Sequence, residues 1–89
     1  MYKVILEKPI KKFLEKHKWE VIIEQFEKSL IFLSNDPYEN DLDIRLITGL
    51  PNTYWLRIWK YRFLYEIIDD TISIVFIKAW SRWKVYKSL

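Results

Sequence analysis

The sequence predicts an α+β domain in which a two-helix hairpin packs on an antiparallel sheet. Apolar residues recur at helical spacing over roughly the first forty positions, whereas after position 53 they alternate with polar residues as in strands. The length of 89 residues allows one domain, 1–89, with a single two-layer core. The predicted element order is βααβββ(β) with a C-terminal tail.

The N-terminal elements are a short strand and two helices. The apolar run from Tyr2 to Leu6 predicts the strand, and Pro9 suits the first turn of a helix. The first helix has its apolar or aromatic positions at Ile10, Phe13, Leu14 and His17. The second helix carries the stripe Trp19, Ile22, Ile23, Phe26, Leu30 and Leu33, and the turn sequence 34–37 ends it.

The C-terminal half is predicted to be a meander of strands. The segment Asp43 to Ile47 is either a strand or an extended approach, and the break at 49–52 follows it. A two-residue turn at Trp59-Lys60 places Arg57 directly opposite Arg62. A second turn at positions 69–70 gives the register pairs Phe63 with Phe76, Tyr65 with Ile74, and Ile67 with Ile72.

Composition excludes several classes of function. Cysteine is absent and His17 is the only histidine, so disulfides, thiolate metal sites and histidine-based triads are excluded. No apolar run reaches the roughly 20 residues of a membrane span, so we expect a cytoplasmic protein with no membrane association and no cofactor. Residues 1–50 carry a net charge of −1 and residues 51–89 carry +4, which favours a polyanion or an acidic protein as partner.

Arg57 and Arg62 are the candidate binding residues that the pattern itself singles out. Like charges directly opposite each other on a sheet are destabilising, and phosphate is the natural partner of two adjacent guanidinium groups. Trp55 lies on the same face, and rings among cations suit single-stranded nucleic acid. An ordinary solvent face, with Glu66 bridging one arginine, is the alternative that the spacing leaves open. Tyr86, among the cations of the tail, is a candidate proton donor or acceptor.

Several segments together resemble the RelE/ParE toxin superfamily. The run LRIWKYRFLYEI at 56–67 is similar to the hairpin LRVGDYRVIYEI of these toxins, and SRWKVY at 81–86 to their terminal HRxxVY. LSNDPY at 33–38 and the Gly49-Leu50 pair match further family positions in order and spacing. This sequence has Trp55 where the most active relatives carry lysine, and Ser81 where many carry histidine.

The resemblance implies a RelE-like mRNA interferase that cuts message in the ribosomal A site. Arg57 and Arg62 would hold the scissile phosphate, Arg82 would assist, and Tyr86 would be the acid–base residue, a role that Lys60 or Lys84 would share. The expected RNA- or phosphate-binding residues are Arg57, Lys60, Lys78, Lys84 and Trp55. The expected partners are a cognate acidic RelB-like antitoxin, mRNA and the ribosome.

The sequence is also compatible with two other functions. The ParE branch shares the scaffold and poisons DNA gyrase without cutting RNA, and Trp55 and Ser81 favour it. A degenerate toxin that retains only antitoxin binding is the third.

Overall fold

The computed structural model describes residues 1–81, which form one strand, two helices and four further strands. They are β1 (Lys3–Leu6), α1 (Lys8–Lys16), α2 (Val21–Asn35), β2 (Ile44–Leu46), β3 (Thr53–Ile58), β4 (Tyr61–Ile68) and β5 (Ser73–Ser81), with a 3-10 turn at Asp69–Thr71. The predicted α+β class is therefore confirmed. The segment left open at Asp43 to Ile47 contains strand β2.

All five strands belong to one sheet in the order β1-β5-β4-β3-β2. Strands β3, β4 and β5 form the predicted antiparallel meander, and β2 adds a fourth antiparallel strand beside β3. Strand β1 pairs with β5 in parallel, so the sheet as a whole is mixed. A parallel neighbour requires a long connection, and here the whole chain between β1 and β5 supplies it.

Both helices pack on the same face of the sheet and close a single aromatic-rich core. The β4 side chains alternate, so that Phe63 and Tyr65 are buried under the helices while Arg62 and Leu64 point the other way. The Phe26 ring of α2 stacks on Phe63 at 4.4 Å. The buried core consists of Ile10, Ile22, Phe26, Leu33, Leu56, Tyr61, Phe63, Tyr65, Ile67, Ile74 and Phe76.

The expectation that Trp19 belongs to the apolar stripe of α2 is wrong. Trp19 is 90% exposed and precedes the helix, which begins at Val21. The chain turns at this point, since the Glu20 N–H donates to the His17 carbonyl oxygen at 2.9 Å. The helical period therefore restarts after Trp19. The predicted end of α2 is confirmed at Asn35.

The register between β3 and β4 is the predicted one, and the register between β4 and β5 is not. Arg57 lies opposite Arg62, as the two-residue turn requires. Phe63, however, pairs with Ala79, and Tyr65 pairs with Phe76. One reason is a longer turn than expected, because Ile72 adopts a left-handed conformation (φ 50°) and is 52% exposed.

A β-bulge in β5 is the second reason, and it decides which side chains leave the core. Phe76 pairs with Tyr65 and Lys78 pairs with Leu64, so Ile77 is an extra residue without a partner on β4. Side chains on a strand alternate between faces. Without the extra residue, Lys78 and Trp80 would follow Phe76 into the core; with it, they turn to the opposite face and Ala79 packs inward.

The Asp69 carboxylate, directly after the C-terminal end of β4, joins three segments that are distant in sequence. The Tyr2 hydroxyl donates to Asp69 at 2.9 Å, and the Tyr38 hydroxyl donates to both Asp69 oxygens at 2.8 Å. Burial and the Asp69 carboxylate raise the pKa of the Tyr38 phenol well above its ordinary value. The cluster ties the N-terminus and the loop after α2 to the β4–β5 turn.

Replacing Tyr65 by Phe is expected to stabilise the protein. The Tyr65 hydroxyl is buried and has no hydrogen-bond partner among residues 1–81, and burial raises its pKa so that it stays protonated. A buried polar group without a partner is destabilising, and its removal is expected to raise the free energy of unfolding by about 1 kcal/mol. Urea denaturation monitored by circular dichroism measures the change.

The matched control is Tyr61→Phe, which removes a hydroxyl that donates to the Glu20 carboxylate at 3.2 Å. Losing this bond is expected to lower the free energy of unfolding by about 0.5 kcal/mol. Destabilisation by Tyr65→Phe equal to that of the control would contradict the prediction.

Candidate functional site

The sheet face turned away from the helices, here called the outer face, carries a cross-strand row of cations and rings. Arg57 of β3 lies opposite Arg62 of β4, which in turn lies opposite Trp80 of β5. In the neighbouring row, Arg45, Trp55, Leu64 and Lys78 follow one another across β2 to β5. We call the first the arginine row and the second the tryptophan row. The predicted residues Arg57, Arg62, Trp55 and Lys78 thus lie in two adjacent rows.

Arg57 is held in a half-buried position near the hairpin-turn end of β3. Its side chain is 25% exposed, and its Nε lies 3.5 Å from Oδ2 of Asp43. That distance makes an ion pair but not a good hydrogen bond. The backbone anchors the same corner, because the Arg57 N–H donates to the Asp43 carbonyl oxygen at 2.9 Å.

Asp43 is a residue of the site that the sequence did not predict. Its second carboxylate oxygen lies 3.5 Å from Nε of Arg45, so one carboxylate faces two guanidinium groups. The sequence suggested Glu66 as the acid that would bridge an arginine. In the structure, Glu66 lies opposite Thr53 and Val75, and the acid beside Arg57 is Asp43. Pairing of β2 with β3 brings Asp43 there, and a three-residue strand leaves little signal in sequence.

Two tryptophans meet where the rows adjoin. The Trp55 and Trp80 rings are 5.0 Å apart at 63°, an edge-to-face contact. Lys78 places its ammonium group 5.8 Å from the centre of the Trp80 ring. Trp80 was not predicted, since strict alternation from Phe76 assigns it to the core.

Lys60 belongs to neither row. Its ammonium group is 5.4 Å from the ring of Tyr61, which faces the helices. It lines a cleft of about 410 Å³ between α1 and the end of β5, together with Lys12, Lys16 and, from the arginine row, Trp80. His17 is at the same cleft, where its Nδ1 is 2.7 Å from the Glu20 carboxylate and this hydrogen bond lowers the pKa of Glu20. The structure therefore brings Lys60 to the helix side of the sheet.

Three of the predicted residues, Arg82, Lys84 and Tyr86, lie outside the described residues 1–81. Among the described tyrosines, the four with shifted pKa values all shift upward, through burial or through bonds to carboxylates. Those phenols are weaker acids than free tyrosine. The acid–base assignment to Tyr86 thus stays a prediction.

The chemistry available on the outer face is the binding and stabilisation of negative charge. Arg45, Arg57, Arg62 and Lys78 supply cations, and guanidinium groups present paired donors that match phosphate oxygens. Within residues 1–81, no group of three or more histidines or carboxylates is arranged to hold a metal ion. Neither described helix is long and apolar enough to cross a membrane.

Comparison with known proteins gives a consistent structural answer. No protein-family model and no curated protein sequence matches the chain. The RelB–RelE antitoxin–toxin complex from Methanococcus jannaschii matches with a TM-score of 0.77 and 28% identity, covering 96% of this chain and 98% of that chain. The RelE–RelB complex from Pyrococcus horikoshii OT3 matches with a TM-score of 0.79 and 21% identity, covering 91% and 94%.

A third match is the intact Escherichia coli RelBE toxin–antitoxin complex, with a TM-score of 0.74 and 20% identity over 91% of this chain and 96% of that chain. Each of these similarities covers more than nine-tenths of this chain and of the chain that it matches. The chain therefore has the RelE toxin fold, and the resemblance in its sequence motifs is confirmed at the level of the fold.

Asp43→Asn is expected to strengthen anion binding at Arg57. The Asp43 carboxylate occupies the position beside Arg57 that an incoming anion would take, and a half-exposed ion pair of this kind contributes at most about 1 kcal/mol. Its neutralisation should therefore tighten binding of inorganic phosphate by about two- to fivefold. NMR titration of the arginine Nε–H signals measures the dissociation constant.

Asp41→Asn is the matched control, because it changes the net charge equally from the same loop and its side chain is exposed. It should leave the phosphate affinity nearly unchanged. Weaker phosphate binding in Asp43→Asn would mean that Asp43 positions Arg57 for the anion, and the prediction would be wrong.

Proposed function

We propose that this chain is the toxin of a type II toxin–antitoxin pair and acts as a RelE-like, ribosome-dependent mRNA endoribonuclease. The observation that carries the proposal is the direct opposition of Arg57 and Arg62 on the outer face of a RelE-type fold. Two guanidinium groups directly opposite each other repel, and an anion bound to both would offset that repulsion. A phosphate of the RNA backbone would supply that anion.

The proposed reaction is attack of a ribose 2′-oxygen on the adjacent phosphorus, with departure of the 5′-oxygen of the next nucleotide. The phosphate accumulates negative charge as the new bond forms. Arg57 and Arg62 would stabilise this charge through preorganised donors, which is commonly the largest single contribution to such catalysis. A proton must leave the 2′-hydroxyl and another must reach the 5′-oxygen.

The tail residues complete the proposed mechanism by their positions in the family motif. Arg82 would contact the phosphate or the leaving group, and Tyr86 would transfer the proton, with Lys84 as an alternative. Lys78 of the tryptophan row would contact the RNA backbone. Lys60 would contact RNA or ribosome from the opposite side of the hairpin turn.

A RelB-like antitoxin is the proposed protein partner. Several structural neighbours are RelE chains in complex with RelB. The charge of +4 on residues 51–89 is complementary to an acidic segment that orders on binding. Such an antitoxin would neutralise the same cations that hold the RNA.

The cleavage test compares purified variants on programmed ribosomes by mapping the ends of the mRNA. The native protein is expected to produce defined cuts in the A-site codon. Arg62→Ala and Arg57→Ala should each lower the cleavage rate by about 100-fold or more, since each removes a charged donor from the phosphate. Arg62→Lys keeps the charge but loses the paired donors, and should fall between native protein and Arg62→Ala.

Lys28→Ala is the matched control, because Lys28 is an exposed cation on α2, and α2 packs on the face of the sheet opposite to both rows. It should cleave like the native protein. Circular dichroism and thermal unfolding establish that each variant is folded. Intact message at every concentration of native protein, or equal growth arrest by native protein and Arg62→Ala in cells, would refute the nuclease.

One observation favours inhibition of DNA gyrase as a second candidate. Trp55 is packed edge-on against Trp80 at the position where the most active relatives have lysine, so this corner has a ring in place of a cation. A ParE-like toxin needs no catalytic cation there. A supercoiling assay separates the candidates: inhibition of gyrase by both native protein and Arg62→Ala, with intact mRNA, would support this alternative.

A further inference from the structure

Trp80 reaches the outer face only because of the bulge at Ile77. The bulge turns Lys78 and Trp80 away from the core that Phe76 enters. Bulges of this kind commonly re-aim side chains beside functional sites. The Trp80 side chain therefore lies in line with Arg57 and Arg62.

The Trp55–Trp80 pair is not part of the hydrophobic core. The buried cluster and the side chains packed against it include Tyr54 and Ala79, which precede each tryptophan in the chain, but neither tryptophan itself. Both rings are partly exposed on the outer face, and they contact each other at 5.0 Å. An aromatic pair at this position has apolar surface available to a planar ligand.

Cations surround the pair on the described strands. Arg45 lies opposite Trp55, and Lys78 is 5.8 Å from the Trp80 ring. Arg62 lies opposite Trp80 on the neighbouring strand β4, where it would contact a phosphate. A nucleotide presents the same two features together, an anionic phosphate and a flat base.

We propose that Trp80, supported by Trp55, is a stacking subsite for one unpaired base of the RNA strand whose phosphate Arg57 and Arg62 bind. The choice of RNA as the ligand rests on the proposed function. The subsite itself would add binding affinity and would take no part in the cleavage reaction. Stacking on an aromatic ring accepts any base and adds affinity that the phosphate contacts do not provide. Trp55 fixes the Trp80 ring through the edge-to-face contact.

The test measures binding in the absence of ribosomes and cleavage. The probes are a strand of about six 2′-O-methyl nucleotides, which has no free 2′-hydroxyl, and the same backbone with abasic sugars. The native protein should bind the strand with bases more tightly. Trp80→Ala should weaken binding of that strand by about 5- to 100-fold while binding the abasic strand within about twofold of native protein.

Two further variants sharpen the result. Trp80→Phe keeps a smaller ring and should retain part of the preference for bases. Trp19→Ala removes a tryptophan that is 90% exposed before α2 and should retain all of it. Added salt is expected to weaken binding of both strands, because the phosphate contacts release counterions. The ratio of the two affinities should stay nearly constant, because stacking releases none.

Equal affinity of the native protein for the two strands overturns the proposal. So does a Trp80→Ala variant that loses affinity for both strands equally while unfolding at a lower temperature, which marks Trp80 as structural. A protein that prefers bases but leaves mRNA intact refutes the nuclease and keeps the subsite. A protein that cuts mRNA but binds the two strands equally refutes the stacking subsite and supports the nuclease.

Discussion

Two short helices cover only one face of a five-stranded sheet, and the rest of the molecule follows from this constraint. The covered face is filled by rings, with Phe26 of α2 stacked on Phe63 of the central strand. The outer face has no helix over it within residues 1–81. Its charged side chains keep partial contact with solvent, as Arg57 does at 25% exposure, so cations that would be excluded from a core are tolerated. The strand that organises the core therefore also displays Arg62.

The site combines contributions that differ in how firmly the backbone fixes them. The hairpin turn fixes Arg57 against Arg62, and a backbone hydrogen bond fixes Asp43 beside Arg57. The carboxylate contacts at 3.5 Å are looser. The arginines are therefore held in place while their counter-ion, the Asp43 carboxylate, is held weakly. An incoming anion can replace Asp43 beside Arg57 at a small cost in free energy, because the ion pair that it breaks is weak.

Local patterns in the sequence predicted the elements, the inward face of β4 and the pairing of the two arginines. Those features depend on alternation and on a two-residue turn, which neighbouring residues determine. The β4–β5 register was wrong because it depends on Ile72 with positive φ, which a β-branched residue rarely adopts, and on an unpaired Ile77. Asp43 was missed because its position depends on strand pairing across the loop at 49–52. The first error comes from a turn and a bulge whose backbone geometry is not visible in the alternation of side chains, and the second comes from strand pairing across an intervening loop.

The bulge at Ile77 changes the parity of β5. Before it, even-numbered positions such as Ile74 and Phe76 face the core; after it, even-numbered Lys78 and Trp80 face outward. The first part of β5 thus packs its even-numbered side chains into the core, the last part exposes them on the outer face, and position 77 separates the two parts. Removing one residue at this point of the strand would therefore turn Lys78 and Trp80 toward the core and Ala79 toward solvent, whereas replacing the Ile77 side chain would leave that alternation intact.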